Sequence, residues 1–459
     1  MPLRTLILAA GKGTRMKSDL PKVIHPILNR PMLNYVLDAV SNLKPDITYI
    51  IVGYKKEMIC SAVDNLSLNV EYVIQNRQLG TGHAISRAES KLKNFRGDIL
   101  IINGDCPAIT GNELKKFVSK HSKNRSTLSL ITSEIENPYG YGRIVRDGAN
   151  KLHSIIEEKD ASLQIKKINE VNSGIYCVKS QFLWEALKKL RTKNRQKEYY
   201  LPDIVEYAVG KKMKITTHNV RDSDEILGVN DKAELSKLER ILKFRILKKL
   251  YMAGVTVVDP ESTFISPDVR IGSDTVIQPG TYIFGNTKIG KSCSIGPNVY
   301  IEDTAIGNNV EIKFSSYMSS CKIKNNVIIG PFAHLRPEAN IGNNSKIGNF
   351  VEIKKSKIGN RSKIPHLSYV GDANVGNNVN IGAGTITCNY DGVSKHQTII
   401  EDNVFIGSDS MLVAPVKVGK GATTAAGSTI TKDVDRDALA IERNQQKIIK
   451  GWKKRKNKK

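Results

Sequence analysis

Cysteine is sparse in this sequence and never patterned. The six, Cys60, Cys106, Cys177, Cys293, Cys321 and Cys388, make no CxxC pair. That argues against a zinc ribbon and against a disulfide framework, and for a reducing cytoplasm. No eighteen consecutive residues are apolar, so no membrane partner is expected. The opening MPLRTLILAAGKG carries no signal-peptide pattern. Aromatic residues make up 6% of the chain without clustering into a base-stacking platform, and no zinc-finger or RRM signature is present. Acidic residues are outnumbered 70 to 45 by basic ones, for a formal charge of +25. That excess favours anionic ligands. Its share in the tail, KGWKKRKNKK, reads as a solvated end, so no obligate nucleic-acid partner is expected.

What is present falls into two textures. In the first half, candidate strands at Leu3–Ala10, Ile47–Val52, Val70–Ile74, Ile99–Asn103, Leu128–Thr132 and Ile175–Val178 alternate with helices such as Met32–Asn42 and Gly82–Leu92. The order predicts an α/β domain over residues 1–230 with a mainly parallel sheet. Residues 231–253 read as one long linking helix, with Leu235, Leu238, Leu242, Ile246 and Leu250 at three- and four-residue steps.

The second half, residues 254–459, keeps a different beat. An aliphatic residue recurs every six positions from Ile265 through Ile301, and after a five-residue step the beat resumes at Ile306, Ile312 and Met318. It restarts at Ile323 and runs to Ile353, then through Ile358, Ile364, Val370, Val375 and Ile381. The last beats are Ile400, Ile406, Leu412, Val418 and Ile430. A period of six fits neither a helix nor a two-sided strand. It fits a solenoid whose short strands each send one side chain inward, with tight corners supplied by Gly, Asn and Asp at positive φ. Each buried Ile contributes roughly 1.5–3 kcal/mol, enough in sum to hold a long prism. TCNYDGVSKHQT, residues 387–398, breaks the beat and is expected to bulge as a loop on a functional face.

LILAAGKGTRM, residues 6–16, is the first candidate site. It lacks the GxxxxGK[ST] spacing of a Walker A loop, and Met16 stands where a dinucleotide fingerprint needs a third glycine. It offers a strand that ends in a glycine turn, with Lys12 and Arg15 adding charge. Alone, the turn reads equally as a phosphate cradle or as plain punctuation. Asp105, closing DILIINGD, sits where the carboxyl edge of a sheet holds ligands; it suits Mg²⁺ or, more plainly, a helix N-cap. QLGTGHA, residues 78–84, is a second glycine turn opening a helix.

LILAAGKGTRM, LPKVIHPI, QNRQLGTGHA, NGDCP, GYGRI, EEKDA, VNSGIY, KEYYLPD and GVN follow one another, and GPFAHLRP, GNFVEIKKS, HLSYVGDANVGNNVNIGAGTITCNYDG and GSDSMLVAPV come after them. In this order they resemble the bacterial bifunctional uridylyltransferase/acetyltransferase family GlmU over nearly the whole chain. The resemblance implies a Rossmann-like nucleotidyltransferase domain, a long linker helix and a left-handed parallel β-helix of hexapeptide repeats. It implies acetylation of glucosamine 1-phosphate by acetyl-CoA, then transfer of UMP from UTP to N-acetylglucosamine 1-phosphate. It also implies Mg²⁺, a homotrimer with the acetyl-transfer site between subunits, and a cytoplasmic location.

Carried over position by position, the resemblance puts the uridine nucleotide on Leu8, Ala9, Ala10 and Gly11, with Gln75, Gly80 and Thr81 at the uracil. Arg15 and Lys22 match the catalytic, phosphate-handling cations. Asp105 and Asn230 match the magnesium ligands, with Asn103 and Gly104 beside them in the substrate site. Gly140, Glu157 and Asn172 match the sugar contacts. A phosphate nucleophile is largely ionised at neutral pH, its second pKa being about 6, so a site of cations without a base suits uridylyl transfer.

Acetyl transfer needs a base, an oxyanion donor and cations for the sugar phosphate. An isolated histidine is usually structural; the resemblance makes His366 the general base, with Glu352 orienting it or balancing its charge. Arg336, Lys354, Tyr369 and Asn380 match the sugar-phosphate contacts. Ala383 matches the oxyanion donor, and Asn389, Tyr390, Ser408, Ala426 and Arg443 match the remaining acetyl-CoA contacts. Three positions depart from the family's usual residues: Asn103 for Tyr, His334 for Arg and Pro202 for Thr. Two other readings stand beside this one. A single-activity pyrophosphorylase with a solenoid used only for assembly does not need His366, Asn389 and Tyr390. A non-catalytic binding protein does not need Arg15, Lys22, Asp105 and Asn230 together.

Overall fold

A computed structural model describes residues 2–63 and 68–453. The last six residues of the basic tail lie outside the described residues. The chain forms two compact units, residues 1–242 and 243–459.

The first unit is built on a nine-stranded sheet. Four strands, Asp98–Asn103, Leu3–Ala9, Thr48–Val52 and Val70–Ile74, lie side by side in that order and all run parallel. Burial on both faces explains their continuous aliphatic runs: Leu6, Ile7, Ile50, Ile51, Leu100 and Ile101 are fully buried. The sheet is more mixed than its alternating texture implies. Glu170–Lys179 runs antiparallel to both neighbours, Asp98–Asn103 and Leu128–Glu134, and a hairpin of Arg143–Arg146 and Leu152–Ile156 attaches to it. The Gly82–Leu92 helix is two short helices, Thr81–Ser86 and Glu89–Leu92, with a turn at Arg87 and the buried Ala88 between them.

The strand Glu170–Lys179 slips register against Leu128–Glu134 between Asn172 and Tyr176. Gly174 sits in this bulge at φ 78°, against the Asn103 amide, where a Cβ would collide.

The long helix spans Lys232–Met252. Leu238, Leu242, Leu247 and Leu250 are its buried leucines, while Leu235 and Ile246 are half-buried. The buried stripe drifts because strict four-residue steps overrun 3.6 residues per turn.

The second unit is a three-sided parallel solenoid of eleven-, ten- and nine-stranded sheets. The six-residue beat becomes three vertical stacks. Ile265, Ile283, Ile301, Met318, Leu335, Ile353 and Val370 form one, and Ile271, Ile289, Ile306, Ile323, Ile341, Ile358 and Val375 form the second. Ile277, Ile295, Ile312, Ile329, Ile347 and Ile364 form the third, and every aliphatic residue of the beat is buried. At one end Lys243, itself 4% exposed, donates to the Glu261 carbonyl at 2.7 Å and lies over the Phe264 ring.

The corners depart from expectation. Asn, Asp and Gly do turn many of them, but Ser315, Lys355, Arg361, Phe332, Phe350 and Leu367 also adopt positive φ. Backbone N–H bonds between rungs hold Ser315, Phe332, Lys355, Arg361 and Leu367 there. An asparagine ladder runs up one corner: the backbone N–H of Asn308 donates to Oδ1 of Asn325 at 2.8 Å, Asn325 to Asn343 at 3.1 Å, Asn343 to Asn360 at 2.9 Å, and Asn360 to Asn377 at 2.8 Å. Asn377 closes the series on Asp402 at 2.6 Å.

Candidate active sites

The carboxyl ends of the four parallel strands open a cleft in two parts. One, about 570 Å³, is lined by Leu8, Ala9, Ala10, Gly11, Lys12, Lys22, Gln75, Gly80, Thr81, Asn103 and Asp105. The other, about 170 Å³, is lined by Gly140, Glu157, Asn172 and Asn230 and shares Leu8, Thr81, Asn103 and Asp105 with the first. Fourteen of the N-terminal candidates thus line one continuous cleft.

Two candidates do not line it. Gly104 lies between Leu8, Leu33 and Val23, and its N–H donates to the Leu8 carbonyl at 2.9 Å. It lets the Asp105 strand end pack closely. Arg15, on the 3₁₀ turn Thr14–Met16, reaches the site through its guanidinium, which donates to Asn230 Oδ1 at 2.7 Å.

The local conformation follows from packing. Gly13, at φ 61°, lies against the Lys22 side chain where a Cβ would collide, so the turn brings the Lys22 stem beside the phosphate loop. Lys22 forms an ion pair with Asp105. The Gln75 amide donates to the Gly80 carbonyl at 3.3 Å and contacts His83 Nδ1 at 3.0 Å, and the Gln78 amide donates to the Ala10 carbonyl at 3.3 Å, tying the two glycine turns together. Thr81 Oγ1 accepts from the Leu201 N–H at 3.0 Å. In the smaller part, the Asn172 amide donates to the Tyr176 hydroxyl at 2.7 Å, and its Oδ1 accepts from the Gly174 N–H.

Burial pushes the Glu157 carboxyl up to about 7, with the nearby charges of Asp203 and Asp160 adding to the shift. Asp203 is raised to about 6, chiefly by burial, then by Glu206 and Asp160. Near neutral pH Glu157 is therefore divided between a hydrogen-bond donor and an acceptor form. Cys106, Tyr141, Tyr176 and Pro202 also line this part, and sequence reasoning missed the first three as cleft residues. They lie inside the quoted motifs NGDCP, GYGRI and VNSGIY, but nothing in those motifs separates a cleft-lining side chain from a packing one.

The donor set suits a hard cation. Asp105 offers a carboxylate and Asn230 a carboxamide oxygen, and both now accept from cationic side chains, Lys22 and Arg15. Among the described residues no group of three or more His, Cys, Asp or Glu is arranged to hold a metal by itself. A cation held by these two oxygens would need water and substrate phosphate to complete its shell.

On the solenoid, the second set of candidates falls on two corners and the face between them. Asn349 and His366 are register partners. Extending the pairings of Lys363 with Asn380, Asn380 with Phe405 and Phe405 with Thr423 by three residues continues that column to Ala383, Ser408 and Ala426. His366 and the Ala383 N–H therefore occupy adjacent rungs of one corner, roughly 4.8 Å apart along the prism. Backbone bonds carry the column onward, from the Asp409 N–H to the Ala383 carbonyl at 2.7 Å and from the Gly427 N–H to the Ser408 carbonyl at 2.8 Å. Arg443 ends it, donating to the Ala426 carbonyl at 3.0 Å.

The neighbouring face carries His334, Glu352 and Tyr369 in register. Arg336 donates to Glu352 at 2.8 Å, and His334 Nδ1 lies 3.9 Å from the same carboxylate. The structure thus engages Glu352 with Arg336 and His334. Asn380 pairs with Lys363 on the face that leads into the His366 corner. Arg336 and Lys354 lie at the other corner. Lys395 from the inserted segment stands beside Lys354 and, with Arg336, holds the Lys354 ammonium below its usual range. Sequence reasoning missed Lys395, because only the fold of the insertion brings it to Lys354. Asn389 is buried, with its amide on Asp372, and Tyr390 is exposed.

Family models match the two halves separately, and whole proteins match nearly the full chain. A nucleotidyl transferase family model covers residues 4–224, and a bacterial transferase hexapeptide (six repeats) model covers residues 320–355 and 397–432. The bifunctional protein GlmU of Carboxydothermus hydrogenoformans is 47% identical over 96% of this chain and 98% of its own length. That of Thermosipho africanus is 48% identical over 99% of this chain and 98% of its own. A solved UDP-glucose pyrophosphorylase in complex with UDP-glucose is similar over 53% of this chain and 100% of its own, with 18% identity and a TM-score of 0.45.

Proposed function

Since the chain belongs to the bifunctional GlmU family and carries both a uridylyltransferase and an acetyltransferase domain, we propose which side chains perform each reaction and on what substrates. The solenoid acetylates glucosamine 1-phosphate with acetyl-CoA. The α/β unit then transfers UMP from UTP to the N-acetylglucosamine 1-phosphate so formed and releases pyrophosphate.

In uridylyl transfer the sugar phosphate attacks the α-phosphorus of UTP, and little proton chemistry is needed. Leu8 through Gly11 bring backbone N–H groups to the nucleotide, while Gln75, Gly80 and Thr81 hold the base. Glu157, Asn172 and Gly140 bind the sugar. Mg²⁺ held by Asp105 and Asn230 supplies charge neutralisation on the phosphates when bound. Lys22 and Arg15, at those same oxygens, add positive charge where the transition state gathers negative charge.

In acetyl transfer His366 takes the proton from the sugar amine, and the Ala383 N–H receives the oxyanion. The adjacency of these two groups on one corner is the observation that carries this reading. Arg336, Lys354 and Lys395 bind the sugar phosphate, with Tyr369 and Asn380. Asn389, Tyr390, Ser408, Ala426 and Arg443 take the coenzyme along the corner column.

A homotrimer completes the site. Phe332, Phe350 and Leu367 are 41%, 56% and 61% exposed. They lie on successive rungs immediately beside the Asn349–His366 corner, and the rings of Phe332 and Phe350 stack at 5.1 Å. An exposed apolar column of this kind fits a subunit contact, and its nearness to His366 supports an acetyl-transfer site at that contact. Among the described residues no helix is long and apolar enough to cross a membrane.

Mass spectrometry of products tests the reading. Protein with glucosamine 1-phosphate, acetyl-CoA, UTP and Mg²⁺ is expected to yield UDP-N-acetylglucosamine, as is protein with N-acetylglucosamine 1-phosphate, UTP and Mg²⁺. Product in the second mixture alone would remove the acetyl-transfer half. Product in neither would overturn the whole assignment.

A further inference from the structure

The insertion at residues 387–398 is tied at both ends to one residue, Asp372. Elsewhere on this corner, bonds pass from rung to rung: Ser320 N–H to the Glu302 carbonyl at 3.0 Å, Glu338 to Ser320 at 3.0 Å, Lys355 to Pro337 at 3.1 Å, and Asp372 to Lys354 at 3.1 Å. The next bond comes from the far end of the insertion, where the Thr398 N–H donates to the Asp372 carbonyl at 3.2 Å. At the near end, Asn389 Nδ2 donates to Asp372 Oδ2 at 2.6 Å. The Asp372 side chain is 11% exposed, with Lys355 Nζ at 3.8 Å from its other oxygen.

The insertion is stiff in itself. Asp391 accepts from the N–H groups of Val393 at 2.8 Å and Ser394 at 2.6 Å, and from His396 Nε2 at 2.7 Å. The His396 N–H donates to the Asn389 carbonyl at 2.8 Å. A braced unit of this kind is placed by its attachments more than by its own flexibility. Asn389 is 7% exposed, and its carboxamide is held in one orientation by the Asp372 carboxylate.

We propose that Asp372 is a positioning residue for acetyl transfer: it fixes the Asn389 carboxamide, and with it the inserted segment, in the geometry that receives acetyl-CoA. The proposal rests on the assignment of Asn389 and Tyr390 as coenzyme contacts. Asp372 touches no substrate in this scheme. Its carboxylate forms a charge-assisted bond to a neutral amide, among the stronger hydrogen bonds available to a side chain.

Steady-state kinetics of the full-length protein test it with Asp372→Ala, Asp372→Asn, Asn389→Ala and the Asp372→Ala/Asn389→Ala double variant. Asp372→Ala is expected to raise the acetyl-CoA KM about tenfold, the size of a lost charge-assisted bond. The glucosamine 1-phosphate KM and the rate of uridylyl transfer are expected to hold. A merely structural role would lower the active fraction, and so kcat, without moving one KM alone. Asp372→Asn retains a carboxamide oxygen as acceptor and is expected to raise the acetyl-CoA KM only about threefold. The double variant is expected to be no worse than Asn389→Ala.

If Asn389→Ala raises the acetyl-CoA KM and Asp372→Ala does not, the positioning role is overturned while the coenzyme assignment survives. Equal rises in both substrate KM values would also overturn it. A silent Asn389→Ala would remove the assignment, and the proposal with it. Should Asp372→Ala not fold, Asp372→Asn carries the test, and an unchanged KM there would overturn the proposal.

Discussion

Lys22 and Asp105, 83 residues apart in the chain, meet as an ion pair in which each side chain is less than one-fifth exposed. The carboxylate thus has a cationic partner before any substrate arrives. Asp105→Asn is expected to lower uridylyl transfer by about a hundredfold or more, since it removes the negative charge from the proposed metal ligand and from the partner of Lys22. Acetyl transfer, housed in the other unit, is expected to be unchanged. A chelator is expected to reproduce the same split. Pyrophosphate release and thioester consumption, each assayed with its own substrates, measure the two reactions separately.

His366→Ala is expected to cost acetyl transfer about 10²–10⁴-fold, the usual contribution of a positioned base. Uridylyl transfer should persist at its parent rate. Loss of both activities in a folded protein would undo the division of labour between the units.

Glu157 gives a prediction with a definite sign. Its carboxyl is raised to about 7 in the fold by burial and neighbouring acids, against a usual value near 4.3. The unfolded chain therefore ionises more readily, and folding pays a penalty that begins above the unfolded value and is complete above about 7. Glu157→Gln removes that penalty. The variant is expected to be more stable than the parent at pH 8, by up to about 4 kcal/mol, and nearly indistinguishable from it on this account at pH 4. Thermal unfolding across that range checks the sign. The same change is expected to raise the KM for N-acetylglucosamine 1-phosphate.

The asparagine ladder makes a separate claim about the solenoid. Asn360 Oδ1 accepts both the backbone N–H of Asn343 at 2.9 Å and its side-chain amide at 3.3 Å. Asn360→Ala strands a corner donor and is expected to cost about 1–3 kcal/mol. Asn360→Asp keeps the acceptor and is expected to cost less. Urea unfolding followed by circular dichroism compares them.

The solenoid was legible because its core obeys one rule, with every sixth residue pointing inward. The five-residue steps at Ile301–Ile306 and Met318–Ile323 mark 17-residue coils, which the register pairs Ile289 with Ile306 and Ile306 with Ile323 display. The corners were less legible. Phe332, Phe350 and Leu367 at positive φ violate local preference, and contacts between rungs hold them there: the Phe332 and Leu367 N–H groups donate to the Phe314 and Asn349 carbonyls, and the Phe350 ring stacks on Phe332. In the α/β unit, hydrophobic runs located the parallel strands but carried no direction, so the antiparallel course of Glu170–Lys179 was not foreseen. The bulge at Asn172–Tyr176 depends on pairing with a distant strand. The glycine turns and Asp105 carry visible signals, whereas Lys395 and Asp372 matter only once the insertion has folded back upon the prism.

The ladder from Asn308 to Asp402 has a direction: each rung's N–H is satisfied by a side chain on the rung that follows. A chain emerging from the ribosome therefore always carries one open donor at its growing edge, closed only when the next turn has been made. Assembly is favoured to proceed from the amino end, each new coil completing its predecessor. Asp402 brings this succession to a stop with a carboxylate, so a truncation before it would leave Asn377 facing water and the edge ready to accept a foreign strand.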